Sequence, residues 1–424
     1  MKIYLDSIGC RLNQSEIETL ARHFVLAGHE ITAEPAQADV TVINTCAVTS
    51  AAASDSRSKI RYAHRAGSPT ILVTGCWSQV EPHAAENLPG VHAVIRNQDK
   101  EFLVRDFLSL TPEAFESIQL SDEPRMALPG KQLRTRAFIK AQDGCDNFCT
   151  YCLTRIARGE PRSSSAAHIL QDIHAAERAD VKEVVLTGVH LASWGQDLEH
   201  PMSLQALLEI LLRRTSVPRI RLSSLEPWDL NAEFFELFRH PRLCPHLHLP
   251  LQAGSDAVLQ RMGRKITTQE FAALVEAARA VLPEIAITTD IIVGFPGETE
   301  AQFAESLHFL AQVDFAGGHV FTFSPRKGTP AAKYPGQISK PIKKTRNARM
   351  REVLGRSQRA YQQRFLGSTQ EVLWESGKQT DGGWLMSGLT RNYLRVKAIT
   401  PDNRWNQLEE VVLSRLDSNT FWVE

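Results

Sequence analysis

The sequence predicts an α/β protein in three parts: an N-terminal parallel α/β domain over residues 1–122, a central open (β/α)6 partial barrel over 132–364, and a small C-terminal all-β domain over 365–424. Three observations carry this reading. Through the first two parts, short apolar runs rich in Val and Ile alternate with longer amphipathic stretches, as parallel strands covered by helices do. Residues 122–131, with Pro124, Pro129 and Gly130, interrupt that alternation and read as a boundary. In the last part the long stretches stop, and short runs are separated by Gly, Asn and Asp turns.

In the first part, residues 2–5, 39–43, 70–73 and 92–95 read as strands, and 16–27 as a helix. Gly9-Cys10, Asn44-Thr45-Cys46 and Gly75-Cys76 each put one cysteine just past the carboxyl end of a strand. In an open parallel sheet those ends share one edge, and ligands bind there. Cys10, Cys46 and Cys76 are therefore expected to converge; the plainer alternative is three small buried residues at loop starts.

In the second part, residues 136–140, 183–186, 219–222, 246–249, 286–290 and 318–323 read as six strands. Right-handed crossovers make such units an open barrel whose chemistry sits at the carboxyl ends of the strands. The loop after the first strand is Gly144-Cys145-Asp146-Asn147-Phe148-Cys149-Thr150-Tyr151-Cys152, three thiols within eight residues. That spacing is too short for a packed element, so the loop wraps its sulfurs around one centre. Soft thiolates suit an iron-sulfur cluster or zinc. Structural zinc would want a fourth protein ligand, and no His or Cys follows Cys152 at the usual spacing. A 4Fe-4S cluster held by three thiolates leaves one iron open for chemistry. Cys244, the seventh cysteine, stands alone and reads as a packed thiol.

The other strand ends offer small-molecule contacts: Thr187 and Gly188, then Ser223 and Glu226, then Gln252, then Val293, Gly294 and Phe295. They supply backbone amides, hydroxyls, a carboxylate and glycines that let the backbone approach a flat adenine. No residue among them needs to act as a side-chain acid or base. With 48 basic and 48 acidic residues the chain has no net charge, so nucleic-acid binding must come from local patches. No apolar run approaches the roughly 18 residues of a membrane span. The start, Met1-Lys2-Ile3-Tyr4-Leu5, reads as a strand and not a signal peptide, which points to a reducing cytoplasm where thiols stay available to metals.

Ile8-Gly9-Cys10, Asn44-Thr45-Cys46-Ala47-Val48-Thr49, Thr74-Gly75-Cys76, the loop 144–152, Ala157-Arg158-Gly159, Leu249-Pro250-Leu251-Gln252-Ala253-Gly254-Ser255 and residues 292–298 together resemble the motifs of the radical S-adenosylmethionine methylthiotransferases, in order over nearly the whole chain. The resemblance implies that Cys145, Cys149 and Cys152 hold the 4Fe-4S cluster that cleaves S-adenosylmethionine. It implies that Cys10, Cys46 and Cys76 hold an auxiliary 4Fe-4S cluster carrying the sulfur to be inserted. S-adenosylmethionine would then serve twice, as radical source and as methyl donor, with tRNA as substrate and a low-potential electron donor such as flavodoxin or ferredoxin; neither DNA nor a membrane is expected as a partner. One departure is visible: the family commonly has Ile-Pro after the last cysteine, whereas Leu153-Thr154 stands here.

From 340 to 364 there are nine Lys or Arg residues and one acid, on what should be a helix. A solvated face is the plain reading; an electrostatic footprint on RNA is favoured, because the rest of a neutral chain must be correspondingly acidic. Lys343, Lys344, Arg346 and Arg349 are expected to serve it. Residues 371–374, 384–386, 393–398 and 410–413 read as short strands of a small closed sheet, a common oligonucleotide platform, with Arg391, Asn392 and Tyr393 for phosphate contact and stacking. This part resembles the TRAM module of tRNA-modifying methylthiotransferases. Residues 185–191, continuing to Trp194-Gly195-Gln196-Asp197, look like the enzymes acting on threonylcarbamoyl-adenosine, and Arg155, Arg158 and His190 are expected to meet its carboxylate and hydroxyl. The alternatives are an isopentenyl-adenosine enzyme, a ribosomal-protein aspartate methylthiotransferase and a non-catalytic iron-sulfur RNA-binding protein.

Overall fold

The structure is a computed structural model and describes residues 1–119, 121, 123–125 and 135–423. Most of the expected boundary at 122–131 lies outside the described residues. The first sheet is five-stranded and wholly parallel, in the order β2 (Glu30–Ile31), β1 (Lys2–Ser7), β3 (Val40–Thr45), β4 (Thr70–Gly75), β5 (Val91–Val94). Every residue of β3 is buried, because helices cover the sheet and leave a central strand no wet face. Only β2 escaped the sequence reading, being two residues long. The helix after β1 runs Arg11–Leu26 and begins directly behind Cys10, earlier than its apolar period shows.

The central part carries six parallel strands: β6 (Arg136–Lys140), β9 (Glu183–Thr187), β10 (Arg219–Leu222), β11 (His246–His248), β12 (Ala286–Val293) and β13 (Gly317–Thr322). They pair as β6-β9-β10 and β11-β12-β13. Parallel bridges Ile220–Leu243 and Ser224–His248 join the two triplets into one open array. A two-stranded ribbon, β7 (Gln142–Asp143) with β8 (Arg162–Ser163), brackets the three-cysteine loop. The largest buried apolar cluster runs from Ala137 to Leu354 and fills the space between strands and covering helices.

The last sheet has the order β17 (Leu408–Val412), β14 (Thr369–Thr380), β15 (Gly383–Thr390), β16 (Arg395–Thr400), β19 (Thr420–Val423), β18 (Arg415–Asp417). Its two edge strands are consecutive in the chain, separated by Leu413 and Ser414 alone, so the sheet curls round on itself. Inside the curl sit Val372, Trp374, Met386, Val396 and Phe421, with Tyr361 and Phe365 from the long helix Lys340–Gln363 and the residues just after it. Strands β18 and β19 were not foreseen: each is short, and their turn, Ser418-Asn419, lacks the Asn-Gly signature although both residues adopt positive φ.

This sheet is clamped to the barrel by buried charge. Arg221 pairs with Glu183 at 2.7 and 2.9 Å, and Arg219 reaches Glu371 at 2.8 Å and the Leu389 carbonyl at 3.1 Å. Burial opposes ionisation of Glu183, but Arg221, Arg136 and Arg219 outweigh it and hold the carboxyl at about 2. The stability Glu183 gains from these arginines is therefore fully present above the ordinary carboxylate range and is lost as pH falls toward 2. Trp374 is fully buried at the centre of the curl, with its indole N–H on Glu409 at 2.7 Å. Replacing Trp374→Ala is expected to cost about 3–5 kcal/mol in urea unfolding, with hydrogen exchange rising first across residues 369–423.

Candidate active site

Strands β1, β3 and β4 end side by side, and their next residues bring the first three cysteines to one edge. Gly9 has φ +109°, and a Cβ built on it would stand 2.6 Å from the Cys46 sulfur, so the Cys10 loop packs directly on Cys46. The Cys46 amide donates to Ser56 Oγ at 3.0 Å, and Cys76 opens the short helix Cys76–Val80. Cys10 is exposed while Cys46 and Cys76 are buried. Burial pushes the Cys46 thiol up to about 11, with Cys76 and Cys10 adding to the rise; burial raises Cys76 as well, against the pull of Arg158 and Lys100.

The barrel loop is braced on every side. Gly144 has φ +71°, and a Cβ there would meet the Glu160 carbonyl oxygen at 1.9 Å, a position only glycine fills. Cys145 N–H donates to Gly159 O at 3.0 Å, and Thr150 N–H to Met262 O at 2.9 Å. Where the related pattern has proline, Thr154 starts the helix Thr154–Arg158, and its amide and hydroxyl lie 3.3 and 3.0 Å from the Cys152 sulfur. Proline has no N–H to give. The departure therefore gives the sulfur contacts that proline would not supply. Burial pushes the Cys152 thiol up to about 11, those hydrogen bonds opposing it. Arg264 Nη1 stands 3.8 Å from the Cys149 sulfur, pairs with Glu226 at 2.8 Å and lies over Trp228.

A third arrangement joins the two sets. The helix Thr154–Arg158 packs on Cys76–Val80, with Ala157 and Leu153 entering the apolar cluster of Ile43, Cys76 and Trp77. At its end the Arg158 guanidinium is 4% exposed and bonds Glu16 at 3.0 Å, Asp143 at 2.8 Å and Asn13 at 2.6 Å. Lys100 donates to Glu16 at 2.7 Å and to Asn44 at 3.2 Å. Despite burial, Arg158 and Lys100 hold the Glu16 carboxyl well below its ordinary range. Removing one member of such a set leaves a buried charge unpaired, at about 3–5 kcal/mol. The sequence reading missed Asn13, Glu16, Lys100 and Asp143, and it gave Arg158 to the substrate. That expectation is corrected: Arg158 is spent inside the protein.

The remaining expected residues divide. Thr187 Oγ1 donates to Ile139 O at 3.0 Å, and the Gly188 amide donates to Ser223 Oγ at 3.4 Å. Gln252 adopts φ +79°, its amide and carbonyl bonding Asp290 and Ile292 at 2.8 Å each. The Val293 and Phe295 side chains are core, so only their backbone is available to a ligand; Gly294 has φ +70° and is covered by Lys343. His190 is buried between Asp146 at 3.1 Å and Asp229 at 2.6 Å. Burial works against its charge, yet Asp229 and the Cys145 thiol push it up to about 10. Arg155 pairs with Glu160 and stacks 3.9 Å over Phe148, whose ring is 72% exposed beside Cys149. Cys244 is buried, as a packed thiol should be.

Of the residues expected to face RNA, Lys344 and Arg349 are exposed, and Lys343 is half-buried with its ammonium on Phe323 O at 2.9 Å. Arg346 is buried against Glu298 at 2.8 Å, because it lies on the inward stripe of its helix with Met350, Val353 and Leu354. Arg391 donates to the Pro241 and Leu243 carbonyls. Tyr393 stacks on His246 at 4.6 Å and accepts from Arg11 Nη2 at 2.6 Å. For Arg346 the expectation of RNA contact is therefore corrected, because its side chain is buried; Arg391 and Tyr393 are half-buried and each also holds a partner within the protein. Asn392 is likewise internal, on the Tyr361 hydroxyl at 3.2 Å.

Residues 139–310 match the radical SAM superfamily, and residues 2–96 match the uncharacterized protein family UPF0004. The chain is 37% identical over 380 residues to the threonylcarbamoyladenosine tRNA methylthiotransferase MtaB of Thermotoga maritima, covering 88% of this chain and 86% of that protein. It is 35% identical to the Bacillus subtilis protein of the same name, covering 93% and 89%. The chain belongs to the radical S-adenosylmethionine methylthiotransferase family. It is also 31% identical to a tRNA-2-methylthio-N(6)-dimethylallyladenosine synthase of Geobacillus thermodenitrificans, over 99% of this chain and 82% of that one. Among solved structures it shares the fold of the radical S-adenosylmethionine methyltransferase TsrM of Kitasatospora setae, with TM-score 0.61, 14% identity, and coverage of 78% and 75%.

The family brings a 4Fe-4S cluster and S-adenosylmethionine, and the barrel mouth fits both. Its three cysteines are free thiols in one loop, a donor set of the kind iron-sulfur clusters use. Asn147 Oδ1, Trp228 Nε1 and Asp290 Oδ1 are buried there without a hydrogen-bond partner, at a cost of about 1–3 kcal/mol each that a polar ligand would relieve. Among the described residues, the one group of ligand atoms within 4.8 Å of each other is Cys145, Asp146 and His190. In metal-free protein, iodoacetamide is expected to alkylate Cys10 first, because Cys10 is exposed while the other cysteines are buried or half-buried. Cys46 and Cys152 should lag until the pH nears 11, and iron loading should protect all six, as read by peptide mass spectrometry.

Proposed function

We propose that this enzyme adds a methylthio group at carbon 2 of threonylcarbamoyl-adenosine next to the anticodon of tRNA. The observation that carries the reading is the meeting of two three-cysteine sites at one seam, joined through Arg158. Cys145, Cys149 and Cys152 hold the cluster at the barrel mouth, and Cys10, Cys46 and Cys76 hold an auxiliary 4Fe-4S cluster. When bound, the clusters and S-adenosylmethionine supply the radical and the sulfur for inserting a methylthio group, the steps no side chain can perform.

The chain's own residues hold, orient and shield. Glu226, held by Arg264, and the side chains of Ser223 and Gln252 present polar contacts to S-adenosylmethionine. Cys46 and Cys76 are buried and Cys149 and Cys152 half-buried, which limits the access of water to the reacting centre. The three units are residues 1–122, 132–364 and 365–424, working in the cytoplasm with a low-potential electron donor. RNA meets the exposed basic face of Lys340–Gln363, where Lys344, Arg349, Arg351, Arg356 and Arg359 remain at the surface.

The substrate assignment rests on the relatives named for threonylcarbamoyladenosine. The contacts once expected from Arg158 and His190 no longer favour it, since both side chains are buried among internal partners. Purified enzyme offered two tRNAs, one carrying threonylcarbamoyl-adenosine and one isopentenyl-adenosine, is expected to convert the first preferentially. Nucleoside mass spectrometry reads the outcome, and preferential conversion of the second would move the enzyme to the other substrate branch.

A further inference from the structure

The buried polar network at the seam has more in it than stability requires. A charge pair alone could be replaced by well-packed apolar residues at little loss. Here, however, each partner of Arg158 is itself attached to the backbone that carries a cysteine. Asn13, on the helix behind Cys10, accepts from Arg158 through Oδ1 and donates through Nδ2 to Ile8 O at 2.7 Å and Thr45 O at 3.0 Å. Ile8 lies two residues before Cys10, and Thr45 is the residue before Cys46. The Asn44 side chain bonds the Asn13 carbonyl at 3.1 Å and Glu16 at 2.9 Å, so the same shelf is fixed twice.

On the other side, Asp143 takes Arg158 on Oδ1, and the same oxygen accepts the Gly144 amide at 2.8 Å, one residue before Cys145. The residue after Arg158 completes the ring, because the Gly159 carbonyl accepts the Cys145 amide. Asn97, past the end of β5, donates to Ala157 O at 2.6 Å and pins the Arg158 helix to the first sheet. One planar guanidinium therefore spans from the ledge under Cys10 and Cys46 to the step into Cys145. Its fork has fixed geometry, which a flexible ammonium does not reproduce.

We propose that Arg158 is a positioning residue that sets the distance and orientation between the two three-cysteine sites. This rests on the two-cluster reading above. Sulfur carried at one site must reach a substrate carbon activated at the other, so a displacement of about 1 Å at the seam costs on the order of a hundredfold in transfer. Radical formation at the barrel mouth uses one site only and does not depend on that separation.

The test uses full-length, anaerobically reconstituted enzyme with Arg158→Lys, and independently Asp143→Asn, which cuts the barrel end of the same link. Three quantities are read: iron per chain, the methylthio product formed per 5′-deoxyadenosine released with tRNA, and the magnetic interaction between the reduced clusters by electron paramagnetic resonance. Both variants are expected to keep the wild-type iron content of about eight and their 5′-deoxyadenosine release. The product ratio should fall about a hundredfold, and the magnetic interaction should change. A wild-type product ratio and spectrum in both variants would overturn the proposal, as would loss of iron in both, which marks a purely structural role. Wild-type enzyme with only four irons would instead sink the two-cluster reading itself.

Discussion

The structure depends on four nearly buried charges at the seam between its first two parts. Glu16, Lys100, Asp143 and Arg158 are all nearly inaccessible, and their two positive and two negative charges cancel. Each ion would be costly alone in that environment, and the hydrogen bonds of Asn13 and Asn44 satisfy the polar atoms that the ion pairs leave over. Two of the four come from the first sheet's part of the chain and two from the barrel's. The parts cannot separate or slide without breaking the buried Arg158–Glu16 ion pair and the Arg158–Asn13 hydrogen bond. Cysteines far apart in the sequence thereby acquire a fixed relation, which neither sheet alone would impose.

The curled sheet is fastened by the same physics. Arg219 and Arg221, both fully buried, reach Glu371 and the carbonyls of residues 389–391, and Tyr393 fills the space between His246, Arg221 and Arg11. Arg11 follows Cys10 in sequence, so the last sheet touches the first cysteine site through a single side chain. Residues that resemble an RNA-facing surface by type are here the joint between modules. The exposed basic face lies instead along the long helix, on the side away from Met350, Val353 and Leu354.

What the sequence showed and what it hid follow from range. Ten of the eleven strands in the two parallel sheets carry short apolar or β-branched runs, and ten were readable; the exception, β2, has two residues. The cysteines were readable because thiols are few and the carboxyl ends of parallel strands share an edge. Arg346 could have been recognised as buried, since it lies four residues before Met350 on the apolar stripe. Glu16 and Arg158 could not be paired, because they are 142 positions apart and each letter alone suggests a wet surface. The Thr154 contacts to Cys152 were hidden for another reason: the departure from Ile-Pro was visible, but whether it disturbed the loop depended on where an amide and a hydroxyl would point.

The central claim is that the two three-cysteine sites hold two clusters with different jobs. Mössbauer spectroscopy of protein reconstituted with iron-57 tests it most directly. Wild-type protein should give about eight irons in two 4Fe-4S clusters, and S-adenosylmethionine should perturb one iron of one cluster. A Cys10→Ala, Cys46→Ala, Cys76→Ala variant should keep half the iron and the whole of that response, whereas a Cys145→Ala, Cys149→Ala, Cys152→Ala variant should keep half the iron and lose the response. A single cluster in the wild type, or a response that survives loss of the barrel cysteines, would contradict the account.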